Sequence, residues 1–219
     1  MTIAIEKRPQ GCAATILSMV ASDGTAAAPH ARALAEPTAT LRDIADAIHA
    51  LCVIHGAFPG IVDHASNGCT DPFARDWLAQ AAAAVSGERA LLVRLTAAVG
   101  PLPSTPGQAA SQAAILGQRN ALEMLARSDR AGCATGTALA FVLDWAAIRT
   151  VLDCCARRMA LPLSDPFAGA ATQAIALLRA IEATAPVERA MAFGAQQMLA
   201  QHRGLWQLLE SRATARHAM

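Results

Sequence analysis

The amino-acid sequence predicts an all-α protein, a single-domain bundle of five or six main helices. Alanine, the strongest helix former, makes up about a quarter of the 219 residues. Hydrophobic residues account for 54% of the chain and aromatic residues for only 4%, so the expected core consists of Ala, Leu, Val and Ile. Apolar residues recur three and four positions apart, and no segment alternates convincingly with period two.

Two regions are expected along the chain. Residues 1–39 contain Pro9, Pro29 and Pro37 among small residues, which predicts a flexible or partly helical N-terminal arm with one short helix near its middle. Residues 40–219 are expected to form the helical bundle domain. The chain is long enough to form one large hydrophobic core.

Helix boundaries follow from capping residues, glycine and proline. Thr40 is the predicted N-cap of the first bundle helix, with Asp43 in its first turn. Residues 56–72 are expected to form a loop, and the break between two helices at 128–132 contains Ser128 and Gly132. The spacing Gly132-x-x-x-Gly136 would let another helix approach closely. The predicted helices cover residues 12–21, 40–55, 73–99, two segments between 108 and 161, 167–183, and 186–212.

Four polar side chains occupy apolar stripes of different predicted helices. At about 100° per residue, His55, Glu88, Asp144 and His202 each align with aliphatic or aromatic neighbours. Burying an unpaired polar group costs several kcal/mol, so each of them needs a partner, a ligand or a water. These four residues are the candidate functional site.

A metal site is one interpretation of this set. Two imidazoles and two carboxylates from four helices have the composition of a site for Fe, Mn or Zn in a bundle core. A small-molecule pocket without metal is another, in which a carboxylate of raised pKa binds a cation or acts as acid or base. Secondary candidates are two polar residues on a neighbouring stripe and two in the Pro-Gly loop region: Gln118, Asp129, Asp63 and His64.

A purely structural interpretation competes with both. In it, Glu88 pairs with an arginine or with His55, Asp144 bonds Thr137 or a helix terminus, and His202 lies half-exposed at an edge. Asp63 would then cap a helix after a Pro-Gly turn, which is a routine role for this residue type.

Two resemblances add context. The runs Gly100-Pro-Leu-Pro-Ser-Thr-Pro-Gly107 and Leu143-Asp-Trp145 are similar to an all-helical alphaproteobacterial family of unknown function, which implies a cytoplasmic bacterial setting and no known activity. The bundle and the ligand types resemble ferritin-like proteins in outline. The Glu-x-x-His motif of the di-iron members is missing, and Asp46-x-x-His49, the nearest substitute, points away from the stripe of His55.

Composition limits the binding partners and the cellular compartment that we expect. The formal net charge is +1, and charges of both signs are scattered along the chain, so no cluster of basic residues predicts binding to nucleic acid or an anionic membrane. No apolar run approaches the roughly 18 residues of a membrane span. The six cysteines show no metal or disulfide spacing, which favours a reducing cytoplasm. We therefore expect a cytoplasmic protein that binds a metal or small ligand inside the bundle, or alternatively a non-catalytic interaction protein that forms a homodimer or docks on a partner.

Overall fold

The computed structural model describes residues 11–218, and this part of the chain is all-helical. Its elements are α1 (Cys12–Asp23), a single 3-10 turn (Thr25–Ala27), α2 (Pro29–Ala35), α3 (Leu41–His55), α4 (Ile61–Gly68), α5 (Pro72–Ala98), α6 (Gln108–Ala126), α7 (Cys133–Arg158), α8 (Ala170–Ala180) and α9 (Ala185–His217). Residues 1–10 of the expected arm and residue 219 lie outside the described residues.

The number of helices is larger than predicted. Residues 11–218 form nine α-helices rather than five or six, because the segments expected as loop or arm contain short helices. The clearest error is α4, which occupies part of the connector predicted as loop. The amide of Gly60 donates to the Asp63 carboxylate at 2.8 Å, and this carboxylate also pairs with Arg89 on α5 at 2.7 Å. A helix of eight residues held by a tertiary ion pair leaves only a weak periodic signal.

The capping signals predicted helix ends well. The amide of Asp43 donates to the Thr40 side chain at 3.1 Å, so Thr40 is the N-cap of α3 as expected. The predicted break at 128–132 separates α6 from α7, and Gly132 adopts a positive φ of 92° at the N-cap of α7. In both places the local chemistry determines the boundary.

Helix α7 lies at the centre of the fold. It contacts each of the other eight helices of the described chain, and it packs most extensively on α9. Leu139, Val142 and Ile148, which point in different directions around the helix, are all fully buried. A helix that is hydrophobic on nearly every side is typical of the middle of a bundle.

Helices α7 and α9 approach each other through two glycines. A Cβ atom added to Gly136 would overlap the Met191 carbonyl oxygen and lie 2.5 Å from its Cα, and one added to Gly194 would overlap the Cys133 carbonyl oxygen. These glycines let the two backbones touch; Gly136 belongs to the predicted small-residue spacing, and Gly194 lies outside it. The close approach brings the facing side chains of α7 and α9 within hydrogen-bonding distance further along the pair.

Residues 12–35 pack on this central pair. Ile16 of α1 and Leu34 of α2 are almost completely buried, and α1 contacts α9 while α2 contacts α7. Within residues 11–218, no helix is both long enough and apolar enough to cross a membrane.

Candidate functional site

Three of the four predicted residues meet in one buried hydrogen-bonded chain. Nδ1 of His202 lies 2.7 Å from Oδ2 of Asp144, and Nε2 of His202 lies 3.1 Å from Nε2 of His55. Asp144 comes from α7, His202 from α9 and His55 from the last turn of α3. Their exposed fractions are 2%, 1% and 6%, so His55 is the outer end of the chain.

The inner end of this chain is closed by the 3-10 turn. The amide of Thr25 donates to Oδ1 of Asp144 at 2.6 Å, and the Thr25 hydroxyl donates to Oδ2 at 2.6 Å. The indole N–H of Trp206 in turn donates to the Thr25 hydroxyl at 2.9 Å. Asp144 therefore bonds a helix terminus, as the structural interpretation predicted, although the expected alternative partner Thr137 bonds the Cys133 carbonyl instead.

Aromatic rings enclose His55. The ring of Phe141 lies 5.2 Å from it between centroids, and that of Trp145 lies 5.4 Å away in an edge-to-face arrangement. Burial first, and then the charge of neighbouring His202, lower the pKa of His55 well below its usual value. His55 is therefore neutral at physiological pH.

Glu88 lies outside this chain, on the far side of Trp145. It accepts from the Trp145 indole at 2.9 Å and from Nη1 of Arg149 at 2.6 Å. Arg149 also bonds Asp153 and the Ser164 carbonyl. Burial raises the pKa of Glu88 against the lowering effects of Trp145 and Arg149. Its partner is thus an arginine, one of the two alternatives of the structural interpretation.

The geometry does not support the predicted metal site. Residues 11–218 contain no group of three or more His, Cys, Asp or Glu side chains arranged to hold a metal ion. Asp144, His202 and His55 come close together, but they bond one another and Thr25, so their lone pairs do not converge on a shared point. Fe, Mn or Zn would need that convergence.

The secondary candidates are scattered. Asp63 caps α4 and pairs with Arg89, as the capping interpretation predicted. His64 lies 3.8 Å from Glu123, and Asp129 is exposed in the loop before α7. Oε1 of Gln118 is buried and has no hydrogen-bond partner among the described residues.

Sequence reasoning missed a second buried polar cluster between α3 and α9. Arg212 binds both carboxylate oxygens of Asp46 through Nε and Nη2, at 2.9 and 2.8 Å. Arg216 bridges Asp46 at 2.5 Å and Asp43 at 2.6 Å, and it also donates to Thr105 at 3.0 Å. We call Asp43, Asp46, Arg212, Arg216 and Thr105 the carboxylate–arginine cluster. The available signal was an acidic pair three residues apart on one helix and a basic pair four apart on another.

Hydrogen bonds shift the pKa values in this cluster. Burial would raise the pKa of Asp43, but bonds from Thr40 and Arg216 hold it below its usual value. Burial would lower the pKa of Arg216, but its bonds to Asp43 and Asp46 raise it. Both groups are therefore charged at neutral pH.

A groove lies beside the cluster, between α3, α6 and α9. Its volume is about 250 Å³. Its walls are mainly aliphatic, and Asp46, Arg212 and two glutamines supply polar groups: the lining residues are Asp46, His49, Ala50, Val53, Leu102, Gln108, Gln112, Ile115, Leu116 and Arg212. Asp46 and His49 point away from the stripe of His55, as expected, and they do so towards this groove.

One polar atom of a groove-lining arginine is unsatisfied. Nη1 of Arg212 is buried and has no hydrogen-bond partner in the described part of the chain, although Nε and Nη2 are bonded to Asp46 and Nη2 also to Gln108. An unmet buried donor costs about 1–3 kcal/mol.

Comparison with known proteins identifies a family whose function is unknown. No curated protein and no solved structure matches the chain. A family model described as "Family of unknown function (DUF6975)" matches residues 20–217, which includes both the buried histidine chain and the groove. The chain therefore belongs to DUF6975, a family of unknown function.

Proposed function

We propose that the protein binds a small, largely apolar, uncharged molecule in the groove between α3, α6 and α9. The observation that carries this proposal is the buried Nη1 of Arg212, which has no hydrogen-bond partner among residues 11–218 and belongs to a side chain that lines an aliphatic cavity. An apolar pocket with a few convergent polar groups is the common form of a small-molecule site.

The charges of the cluster favour an uncharged ligand. Asp43 and Asp46 balance Arg212 and Arg216, and all four side chains are buried. An added carboxylate would be an uncompensated charge against this neutral cluster. A carbonyl or hydroxyl oxygen would accept from Nη1 without disturbing the balance. Because Nη1 is covered, the ligand must displace a groove side chain to reach it.

The size of the groove favours a small molecule over a helix of a partner protein. Its volume of about 250 Å³ equals roughly eight water molecules of liquid. An α-helix with its side chains is about 10–12 Å in diameter and would need a longer trough. The aliphatic walls, among them Val53, Ile115 and Leu116, would contact the body of the ligand.

We also propose a cytoplasmic location. All six cysteines are free. Burial and the neighbouring Cys154 raise the pKa of Cys155 to about 11, so the Cys155 side chain remains an unreactive thiol at neutral pH. Free thiols are favoured in a reducing compartment.

The test is calorimetric titration with four probes that share an eight-carbon chain: octanamide, 1-octanol, octanoate and octylamine. Octanamide and 1-octanol are expected to bind with dissociation constants on the order of 1 mM or tighter, and the charged probes more weakly. Val53→Glu places a charge on the exposed rim of the groove and should abolish binding. Val93→Glu is the matched control, since Val93 is exposed on α5 away from the groove.

Three results would overturn the proposal. The first is equal binding by wild-type protein and Val53→Glu, and the second is no binding of any probe. The third is a concentration-dependent dimer, measured by light scattering, that Val53→Glu dissociates and Val93→Glu does not. That third result would assign the aliphatic face to a protein interface, in line with the alternative of an interaction protein.

A further inference from the structure

One ring nitrogen of His49, a residue that lines the groove, has its hydrogen-bonding role determined by the backbone. Nε2 of His49 lies 2.8 Å from the carbonyl oxygen of Gly100. A carbonyl oxygen only accepts hydrogen bonds, so Nε2 carries a proton and donates it. A neutral imidazole ring has only one such proton. Nδ1 of the neutral His49 ring is therefore a hydrogen-bond acceptor.

This second nitrogen of His49 is open. Nδ1 has no hydrogen-bond partner among residues 11–218, where the ring is bonded through Nε2. In that part of the chain, the fully covered side-chain nitrogen and oxygen atoms without partners are Oε1 of Gln118 and Nη1 of Arg212. Nδ1 of His49 is not one of them, so it keeps accessible surface. Because half-buried His49 lines the groove, a ligand there can reach this acceptor.

Helix α6 supplies a donor to the same groove. Oε1 of Gln108 lies 3.0 Å from Nη2 of Arg212, and a guanidinium group only donates, so this oxygen is the acceptor. The NH₂ group of Gln108 keeps its two N–H donors, which have no partner in the described part of the chain. Gln108 is half-buried and lines the groove together with His49. The groove thus presents an acceptor from α3 and a donor from α6.

The carboxylate of the groove is already paired. Asp46 lies three residues before His49 on α3, and its two oxygens accept from Arg212 at 2.9 and 2.8 Å. Oδ2 of Asp46 also accepts from Arg216. These contacts occupy Asp46, so they leave Nδ1 of His49 to solvent or to a ligand. A ligand that displaces water from Nδ1 loses affinity unless it replaces the hydrogen bond of that water.

We propose that the ligand of the groove carries an uncharged group that both donates and accepts hydrogen bonds, an alcohol or a primary amide, and that its O–H or N–H donates to Nδ1 of His49. This inference rests on the proposed function, because it specifies the polar group of the same ligand. The oxygen of that group accepts from the donors of Gln108 and Arg212. Esters, ethers and ketones accept but do not donate, so they would leave Nδ1 of His49 without a partner.

Calorimetric titration with two isomers tests the requirement for a donor. 1-Octanol and heptyl methyl ether have the same composition, but only the alcohol has a proton to donate. Water solvates a hydroxyl group better than an ether oxygen, so hydration alone would favour transfer of the ether into an apolar cavity. At pH 8.5, where imidazole side chains are ordinarily neutral, wild-type protein should bind 1-octanol at least about fivefold more tightly than the ether.

Two substitutions of His49 share one structural change and differ in one acceptor. His49→Asn and His49→Phe both remove the hydrogen bond to Gly100. Only asparagine keeps an acceptor oxygen at the branch where Nδ1 lies, so the preference for the alcohol should persist in His49→Asn and disappear in His49→Phe. Nitrogen-15 NMR of histidine-labelled wild-type protein at pH 8.5 should show a proton on Nε2 of His49 and a shift of its Nδ1 resonance when 1-octanol is added.

The outcomes separate this inference from the proposed function. If wild-type protein binds neither isomer, both are overturned. If it binds the two isomers equally, or the ether more tightly, the groove binds a ligand but the requirement for a donor is wrong. A wild-type proton on Nδ1 of His49, or a preference for the alcohol that persists in His49→Phe, would overturn this inference alone. Loss of the preference in both variants would also overturn it, by tracing the preference to the bond with Gly100. The wild-type titration and spectrum decide the question if either variant fails to fold.

Discussion

Gly136→Ala is expected to destabilise the protein by separating its two central helices. The added Cβ would overlap the carbonyl oxygen of Met191 and lie 2.5 Å from its Cα. Carbon atoms pack at about 3.5–4.0 Å, so the helices must move apart by roughly 1 Å. The opposing atoms belong to the backbone and cannot rotate away.

The magnitude combines two opposing effects. Alanine gains about 1 kcal/mol of helix propensity over glycine. Overpacking costs about 1–3 kcal/mol, and the dispersion contacts forfeited along a gap of about 1 Å between α7 and α9 add roughly 2 kcal/mol. After the propensity gain is subtracted, we expect a net loss of about 2–4 kcal/mol, or a fall in melting temperature of about 4–16 °C for a chain of this size.

Urea and thermal denaturation followed by circular dichroism measure this change. Gly117→Ala is the matched control, because Gly117 is an exposed helical glycine whose added Cβ would have no neighbour within 4 Å. It should stabilise the protein by about 0.5–1 kcal/mol. If Gly136→Ala unfolds within about 0.5 kcal/mol of wild type, the inferred backbone contact is wrong.

Three further predictions concern buried or capping groups. Because the pKa of His55 in the folded protein lies below 6.5, the unfolded chain binds more protons than the folded protein as the pH falls below that value. The free energy of unfolding should therefore decrease on acidification by up to about 1.4 kcal/mol per pH unit. His55→Gln should show a shallower decrease in urea titrations from pH 7 to 5. Glu88→Leu should cost about 3–5 kcal/mol because it leaves Arg149 without its most buried partner, and an unchanged urea midpoint would contradict this. Thr40→Ala removes the side-chain acceptor of the Asp43 amide and should cost about 1 kcal/mol in thermal unfolding; a loss near zero would show that the cap contributes nothing.

Local signals in the sequence predicted much of the fold. The Thr40 cap and the glycine at 132 identified boundaries correctly, because capping depends on residues adjacent in the chain. The end of α9 was predicted five residues too early. Arg212 and Arg216 extend that helix by pairing with Asp46 and Asp43, more than 160 residues away, and no local pattern contains this partner.

For the candidate site, helical periodicity predicted which side chains are buried but not which side chains they contact. His55, Asp144 and His202 face the core as the stripes predicted, since a helix of known period specifies the direction of each side chain. Which helix lies opposite depends on connectivity and handedness. Glu88 therefore meets Arg149 rather than the histidines, and Thr25, which closes the chain at Asp144, lies in a 3-10 turn too short to have a period.

The contacts of Thr25 have a consequence for folding during synthesis. This residue leaves the ribosome before both of its partners, since Asp144 follows 119 residues later and Trp206 follows 181 residues later. At roughly 5–20 residues per second, the Thr25 turn waits on the order of 10–40 s for its last partner. Throughout that interval the apolar side of α1, including Ile16, has no α9 to cover it. Helix α1 is thus made before the helix that covers it, and a nascent chain stalled before α9 would expose this surface to chaperones and proteases.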